Sequence, residues 1–332
     1  MAFGFWRYAG GVIAEPTPEN LRRAVALLRA GQCVGLPTET VYGLAGDALN
    51  PAALAAIFAS KNRPRFDPLI LHVAEGFALE KIAAEIPPVA LTLMARFWPG
   101  PLTLLFAKRE LVPDLATAGL PTVAVRCPAH PVAQALLREF GGPLAAPSAN
   151  KFGRISPTTA AAVADELGDA VPLILDGGPC RVGVESTILN VSGGAVTLLR
   201  PGGIALEEVT AVIGSVGRPA DGAVTAPGML KSHYAPRAPL ERLAAPWPVG
   251  RALPANVALL AWRGFAGADG ERRRVRVLAA DGELSLAAAR LFQCLRELDA
   301  LGMEKIFAEP VPARGLGLAI NDRLERASAF GI

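Results

Sequence analysis

Cysteine is scarce in this 332-residue chain. Cys33, Cys127, Cys180 and Cys294 stand far apart, with no C-x-x-C pair among them. That spacing argues against a zinc ribbon, a thioredoxin-type motif and a disulfide framework, and it leaves buried free thiols as the expectation. Although 52% of the residues are hydrophobic, no charge-free apolar run reaches the ~18 residues of a spanning helix, so no membrane association is expected. Met1 to Pro16 carries Arg7 and Glu15 around a short apolar run without a cleavage pattern, and the expected location is the cytoplasm. No G-x-x-x-x-G-K-[ST] occurs, so a nucleoside triphosphate would have to be held without a P-loop, and Gly10-Gly11 does not follow a strand in the dinucleotide pattern. The net charge of +3 and pI near 8.8 are mildly basic, which neither requires nor excludes an anionic partner.

What is present is organised around Pro37-Thr38-Glu39-Thr40-Val41-Tyr42-Gly43-Leu44, closely followed by Lys61-Asn62-Arg63-Pro64-Arg65. An apolar strand-like run, Cys33 to Leu36, ends at a proline, after which come two threonine hydroxyls, a carboxylate and a tyrosine. Polar groups gathered at a strand's end point to a site, because ligands in open α/β sheets sit outside the carboxyl ends of the strands. Upstream, Thr17-Pro18-Glu19 caps a helix running to Gly31. Downstream, Pro51 opens a helix that runs out near the cation cluster, where Pro64 pushes Arg63 into extended geometry, with Lys61 and Arg63 on one side of that segment.

The apolar pattern then predicts strands over 68–73, 102–107, 122–125, 173–175, 186–191 and 196–199, with helices over 78–84, 89–97, 130–140 and 206–213. Ser156-Pro157 reads as the cap of another helix reaching Leu167. Several of these strands end in a polar group plus Pro or Gly: Arg126, Ser148-Ala149-Asn150, Asp176-Gly177-Gly178 and Arg200-Pro201-Gly202-Gly203. Such recurrence is the pattern of loops converging on one ligand cleft. Gly214 to Ala226 looks like a linker, but Pro227 to Pro236 is too polar and aromatic for a passive tether. Beyond Leu240, strands at 257–261, 275–278 and 305–308 alternate with helices at 284–298 and 316–329, a second, small α/β domain.

Each candidate group has a bland alternative. Cations favour helix ends whether or not a ligand is near, although the flanking prolines stiffen this cluster towards phosphate binding. Ser148-x-Asn150 is either a plain turn or a hydroxyl and an amide presented to a ligand. Arg126 is either a surface charge or a guanidinium suited to bidentate capture of a carboxylate. His72 and Ser186-Thr187 are as readily core and strand residues as site residues.

Taken together, the runs PTETVYGL, KNRPRFDPLILHV, FWPGPLTLLF, TVAVRCPAHP, PLAAPSAN, ILDGG, GVESTILNV, LLRPG and APGMLKSHYAP resemble the threonylcarbamoyl-AMP synthase family in its long, two-domain form. The resemblance implies a twisted open mixed α/β sheet with a concave basic cleft over 16–208, after an N-terminal extension over 1–15. It further implies a linker and active-site lid over 209–238 and a smaller Rossmann-like domain over 239–332. It implies synthesis of threonylcarbamoyl-AMP and pyrophosphate from L-threonine, bicarbonate and ATP with Mg2+. The product passes to a tRNA threonylcarbamoyl transferase complex, and weak contact with tRNA itself is conceivable. Carried over by position, Lys61, Arg63, Ser148 and Asn150 are catalytic, and Thr40, His72, Arg126, Ala146 and Ser186 bind threonine. Arg63, Asp67, Thr122, Ser148, Ser156, Arg200, His233 and Tyr234 bind ATP. Asp67 stands where members of the family carry Asn, which sets an acid near phosphates unless Mg2+ or Arg65 offsets it. Two other readings compete. A carbamoyl-adenylate enzyme of hydrogenase maturation would carry paired-cysteine zinc motifs, which are absent, and a non-catalytic RNA-binding module would interleave aromatics for base stacking.

Overall fold

The computed structural model describes residues 6–7, 12–218, 226, 228 and 232–329. Most of the N-terminal extension and part of the linker therefore lie outside the described residues. Strands β1 (Trp6–Arg7) and β2 (Val12–Ala14) precede helix α1 (Pro18–Arg29), where the Thr17 hydroxyl accepts from the Asn20 amide at 3.2 Å. Next come β3 (Val34–Leu36), β4 (Gly43–Asp47) and α2 (Pro51–Lys61), the last capped by the Asn50 side chain. The chain continues through β5 (Ile70–His72), α3 (Pro88–Phe97), β6 (Leu102–Ala107), the one-turn α4 (Asp114–Thr117) and β7 (Thr122–Arg126). Then follow α5 (Pro131–Phe140), β8 (Leu144–Ala145), α6 (Ala160–Leu167), β9 (Leu173–Leu175), β10 (Thr187–Asn190), β11 (Thr197–Arg200) and α7 (Leu206–Ile213).

These strands form one eleven-stranded mixed sheet in the order β1-β2-β9-β3-β4-β8-β5-β7-β6-β10-β11. Alternation along the central strands decides what lies on each face. Leu71, Leu104, Phe106, Val123 and Val125 pack into a core with Leu54 and Ile57 of α2, Leu93 of α3 and Val163 of α6. The residues between them, Ile70, His72, Thr103, Leu105, Ala124 and Arg126, belong to the opposite face, whose middle is covered by no helix among the described residues. Helices α1 and α5 cover that face further along, where Leu28, Leu136 and Leu137 pack on Val34, Leu36 and Leu173. The cleft is the gap they leave.

The C-terminal segment adds β12 (Leu240–Arg242), β13 (Val257–Ala261), the short α8 (Asp269–Arg272), β14 (Val275–Val277), α9 (Leu284–Asp299), β15 (Lys305–Ala308) and α10 (Gly317–Ser328). Its four strands are all parallel, ordered β12-β15-β13-β14. One core cluster joins this segment to the first, with Val41, Ile155, Val184 and Tyr234 packed among residues of α9, α10 and the small sheet.

Some local expectations are corrected. The 78–84 stretch holds only a 3-10 turn, Leu79–Lys81, because Ala83 bridges to Lys108 instead of continuing a helix. The cap of α6 is Thr159, whose hydroxyl accepts from the Ala162 amide, and Ser156 is released for another contact. Lys61 is the last residue of α2, not part of an extended segment, and the chain turns through Asn62 in left-handed geometry, φ 51°. Strands β4 and β12 were not signalled: β4 reads Gly-Leu-Ala-Gly-Asp, and β12 has only Leu240 buried.

Candidate active site

The register across the sheet builds the floor of the site. His72 pairs with Arg126 across β5 and β7, and Arg126 pairs with Thr103 across β7 and β6. The three side chains therefore form one row, and the Thr103 hydroxyl lies 2.7 Å from that of Ser186, next to β10. Arg126 is buried and held by Nε to the Gly100 carbonyl (3.2 Å), Nη1 to the Thr40 hydroxyl (2.8 Å) and Nη2 to the Glu39 carboxylate (2.6 Å). Three N–H groups are thus spent, and among the described residues one on each terminal nitrogen has no partner, the fork that captures a carboxylate. Burial and the charge of Arg126 pull the His72 pKa down to about 3, so the ring is neutral. Its Nδ1 lies 3.3 Å from the Ile70 carbonyl. A carbonyl only accepts, so Nδ1 carries the proton and Nε2 is an acceptor.

A second set of cations flanks this row. Lys61 is fully buried and donates Nζ to the backbone carbonyls of Ser148 and Asn150, which fixes the Pro147-Ser148-Ala149-Asn150 turn. Desolvation, then the charge of Arg63, push the Lys61 pKa well below its usual value. Arg63 bonds the Asp67 carbonyl (3.2 Å) and the Pro68 carbonyl (2.8 Å), with Nη2 also 2.8 Å from Asp67 Oδ2. Asp67 is completely buried, neither of its carboxylate oxygens receives a hydrogen bond among the described residues, and burial raises its pKa. The charge facing Asp67 is Arg63, not Arg65, which is exposed. Arg200 donates to the Ser186 carbonyl through Nε (3.2 Å) and Nη2 (2.9 Å), tying the two sets together.

One cavity joins these groups. Thr40, His72, Arg126, Ala146 and Ser186 all line it, and so do Arg63, Ser148, Arg200, His233 and Tyr234. Lys61, Asn150, Asp67, Ser156 and Thr122 do not. Lys61 and Asn150 shape the Ser148 turn from behind; Asp67 backs Arg63; Ser156 donates to Glu185 at 2.6 Å. Thr122 shares the face of Ala124 and Arg126 at the far end of β7. There Ile70, Leu105, Ala124, Ile188 and Leu199 make an apolar ledge, buried beneath Ala226 of the linker. The cavity holds about 50 Å³, room for a few water molecules at about 10–15 Å³ of such space each. Gly228, His233 and Tyr234 close it.

One participant escaped the sequence reading, Glu185, which lines the cavity beside Ser186; Glu39, the carboxylate of the 37–44 run, is the residue that holds Arg126. Burial alone would raise the Glu185 pKa, but Arg323, Arg200 and the Ser156 hydroxyl together hold it below the usual carboxylate value. The available signal was a carboxylate inside an otherwise apolar and hydroxylic run, Val184 to Leu189.

Comparison with known proteins gives the family and the fold. A family model described as "Telomere recombination" matches residues 26–202, and one described as "Threonylcarbamoyl-AMP synthase, C-terminal domain" matches residues 204–329. The threonylcarbamoyl-AMP synthase of Pyrococcus abyssi is 42% identical over 94% of this chain and 95% of its own length. The chain belongs to the threonylcarbamoyl-AMP synthase family. The Bacillus subtilis member is 41% identical, with 93% of each chain covered. The crystal structure of P. abyssi Sua5 complexed with L-threonine superposes with a TM-score of 0.83 at 40% identity, covering 93% of this chain and 94% of the other. Family membership and fold thus agree over both domains.

Proposed function

We propose that this cleft makes threonylcarbamoyl-AMP and pyrophosphate from L-threonine, bicarbonate and ATP, supplying a tRNA threonylcarbamoyl transferase that consumes the adenylate. The carrying observation is the single cavity in which an Arg126 fork with two spare N–H groups shares a wall with Ser148, Arg63 and Arg200. Arg126 takes the amino acid's carboxylate bidentately, and Thr40, neutral His72, the Ala146 backbone and Ser186 surround the remainder. The His72 Nε2 acceptor suits a hydroxyl or ammonium donor. The crystallised complex of the P. abyssi protein with L-threonine supports this assignment.

The free amine forms the N–C bond with bicarbonate, or with the CO2 derived from it, as a C–O bond of bicarbonate breaks; the departing hydroxide takes the proton lost by nitrogen and leaves as water, giving a carbamate. A carbamate oxygen then attacks the α-phosphorus, and the bond to pyrophosphate breaks. Displacement at phosphorus needs alignment and charge neutralisation more than a side-chain nucleophile. Arg63, Arg200 and the Ser148 turn braced by Lys61 and Asn150 supply both. The apolar ledge of Ile70, Leu105 and Ala124, with Thr122 at its end, suits the purine, with Ser156 and Tyr234 on the same nucleotide side. Gly228, His233 and Tyr234 line the cavity, and these three withdraw for substrate entry and return to shield the mixed anhydride from water.

Mg2+ enters as part of the nucleotide substrate. No cluster of three metal-binding side chains occurs among the described residues. Glu185, the carboxylate that lines the cavity, has its oxygens engaged by Ser156 and Arg323. Asp67 faces Arg63 instead of the cavity. The phosphates therefore carry the ion, as they commonly do for Mg2+.

The test is incubation with ATP, Mg2+ and bicarbonate, with and without L-threonine, measuring pyrophosphate and the adenylate. Release that depends on L-threonine is expected; release indifferent to it contradicts the substrate assignment.

A further inference from the structure

The C-terminal domain touches the site at several points, with Phe292 stacked on Tyr234 and the Arg326 carbonyl accepting from the His233 amide, and one of its side chains reaches further in. Arg323 on α10 is completely buried, although its neighbours on that helix belong to a domain with its own sheet and core. Its Nε donates to Glu185 Oε2 at 2.8 Å, and its Nη1 donates to the Pro201 carbonyl at 3.0 Å and to Asp322 at 2.6 Å. Its guanidinium carbon lies 5.1 Å from the centroid of the Tyr234 ring. Glu185 in turn accepts from the Ser156 hydroxyl at 2.6 Å. Pro201 directly follows Arg200, so the carbonyl that Arg323 fixes belongs to the turn carrying that guanidinium.

Ser156, Arg200 and Tyr234 are three groups assigned to the nucleotide: Arg323 touches the Tyr234 ring directly and reaches Ser156 through Glu185 and Arg200 through the Pro201 carbonyl. On the threonine side Ser186 follows Glu185, and Val41, beside Thr40, packs in the core shared with the C-terminal domain, but among the described residues no C-terminal side chain bonds a group assigned to threonine. Arg126 is held by Gly100, Thr40 and Glu39, all in the first domain. A buried ion pair is weak grounds for stability, since apolar residues of similar volume often serve as well. Geometry is a better account: a planar fork can hold a carboxylate and a carbonyl at a fixed angle, which a lysine ammonium on a flexible stem cannot.

We infer that Arg323 is a positioning residue for the nucleotide half of the cleft, so that the C-terminal domain controls ATP binding and leaves threonine binding to the first domain. The inference rests on the assignment of the two halves given above.

The test compares the full-length wild type with Arg323→Lys and Arg323→Met. Calorimetry would titrate a non-hydrolysable ATP analogue with Mg2+ and, separately, L-threonine, alongside steady-state KM values for both substrates. Arg323→Lys keeps the charge and loses the fork. Its affinity for the analogue and its KM for ATP should worsen about tenfold or more, the scale of a lost hydrogen bond to a charged group. Threonine affinity should stay within about threefold of wild type, a split that general loosening of the fold would not produce. Arg323→Met should move the same way and further; should it fail to fold, Arg323→Lys decides. Unchanged affinity for the analogue in a folded Arg323→Lys protein, or equal loss of both ligands, overturns the inference. A wild type that binds neither ligand would instead remove the assignment of the site, and with it the premise.

Discussion

Arg126 shows how a single side chain acquires a role from its partners. Its position at a strand end was visible in the sequence, but the Glu39 carboxylate that orients it is 87 residues away, a pairing only the folded sheet creates. Arg126→Lys cannot keep both the bonds to Gly100, Thr40 and Glu39 and a forked grip on substrate. KM for L-threonine should rise about tenfold to a hundredfold, with KM for ATP little changed, in steady-state kinetics. His72 gives a pH signature. Its folded pKa of about 3 lies below the ordinary 6.5, so the unfolded chain binds the proton first. The cost is absent above about pH 6.5 and grows as pH falls towards 3, at about 1.4 kcal/mol per unit. His72→Gln removes that term. Denaturant unfolding of wild type and variant should give a stability difference that is flat above pH 7 and shifts steadily in favour of the variant below pH 6. Ser156 makes the opposite point to Arg126: next to proline it looked like a helix cap, and the folded chain uses its hydroxyl on Glu185 instead.

At the scale of elements, helices with proline in the first turn and strands with sustained apolar runs were legible, because those signals are local. Strands β4 and β12 were not: β4 is a short Gly-Ala run held between the adjacent β3 and the distant β8, and β12 is a polar edge strand whose partner β15 lies far along the chain. The Arg200-Pro201-Gly202-Gly203 turn was recognised as a strand end, and the structure supplies the reason for its glycine. A Cβ on Gly202 would lie 2.3 Å from the Ser186 carbonyl carbon and the Thr187 amide nitrogen. Both are backbone atoms of the segment that carries Glu185 and Ser186, so they cannot rotate away. Gly202→Ala should lower stability by about 1–3 kcal/mol through this overpacking and reduce adenylate formation more than the loss of folded protein explains. Thermal unfolding beside specific activity checks it; an alanine variant with wild-type activity would show that the approach is not needed.

Across the whole molecule, a first domain with a cleft and a second α/β unit were readable from the two successions of strand and helix patterns. The depth of their joining was not. Val41, Ile155, Val184 and Tyr234 are buried against residues of α9 and α10, and the backbone at Gly183 passes so close to α9 that a Cβ there would lie 2.3 Å from Ala289 Cα. Such contacts link residues far apart in the chain, Gly183 with Ala289 and Tyr234 with Phe292 among them, and leave no periodic trace. Truncation after Glu208 should therefore expose apolar surface as well as remove the segment that closes the cavity. The truncated protein is expected to unfold at lower temperature and to lose adenylate synthesis, as scanning calorimetry and a pyrophosphate assay would show; full activity would refute the closing role.

The central claim is that a carbamate oxygen, delivered within this one cleft, displaces pyrophosphate from ATP. Bicarbonate labelled with oxygen-18, in water of the same enrichment, tests it directly when the adenylate is weighed by mass spectrometry and then cleaved to AMP. The account predicts a threonylcarbamoyl-AMP in which both carbamate-derived oxygens are heavy, one of them bridging to phosphorus. An unlabelled adenylate, joined through threonine's own carboxylate, would contradict it.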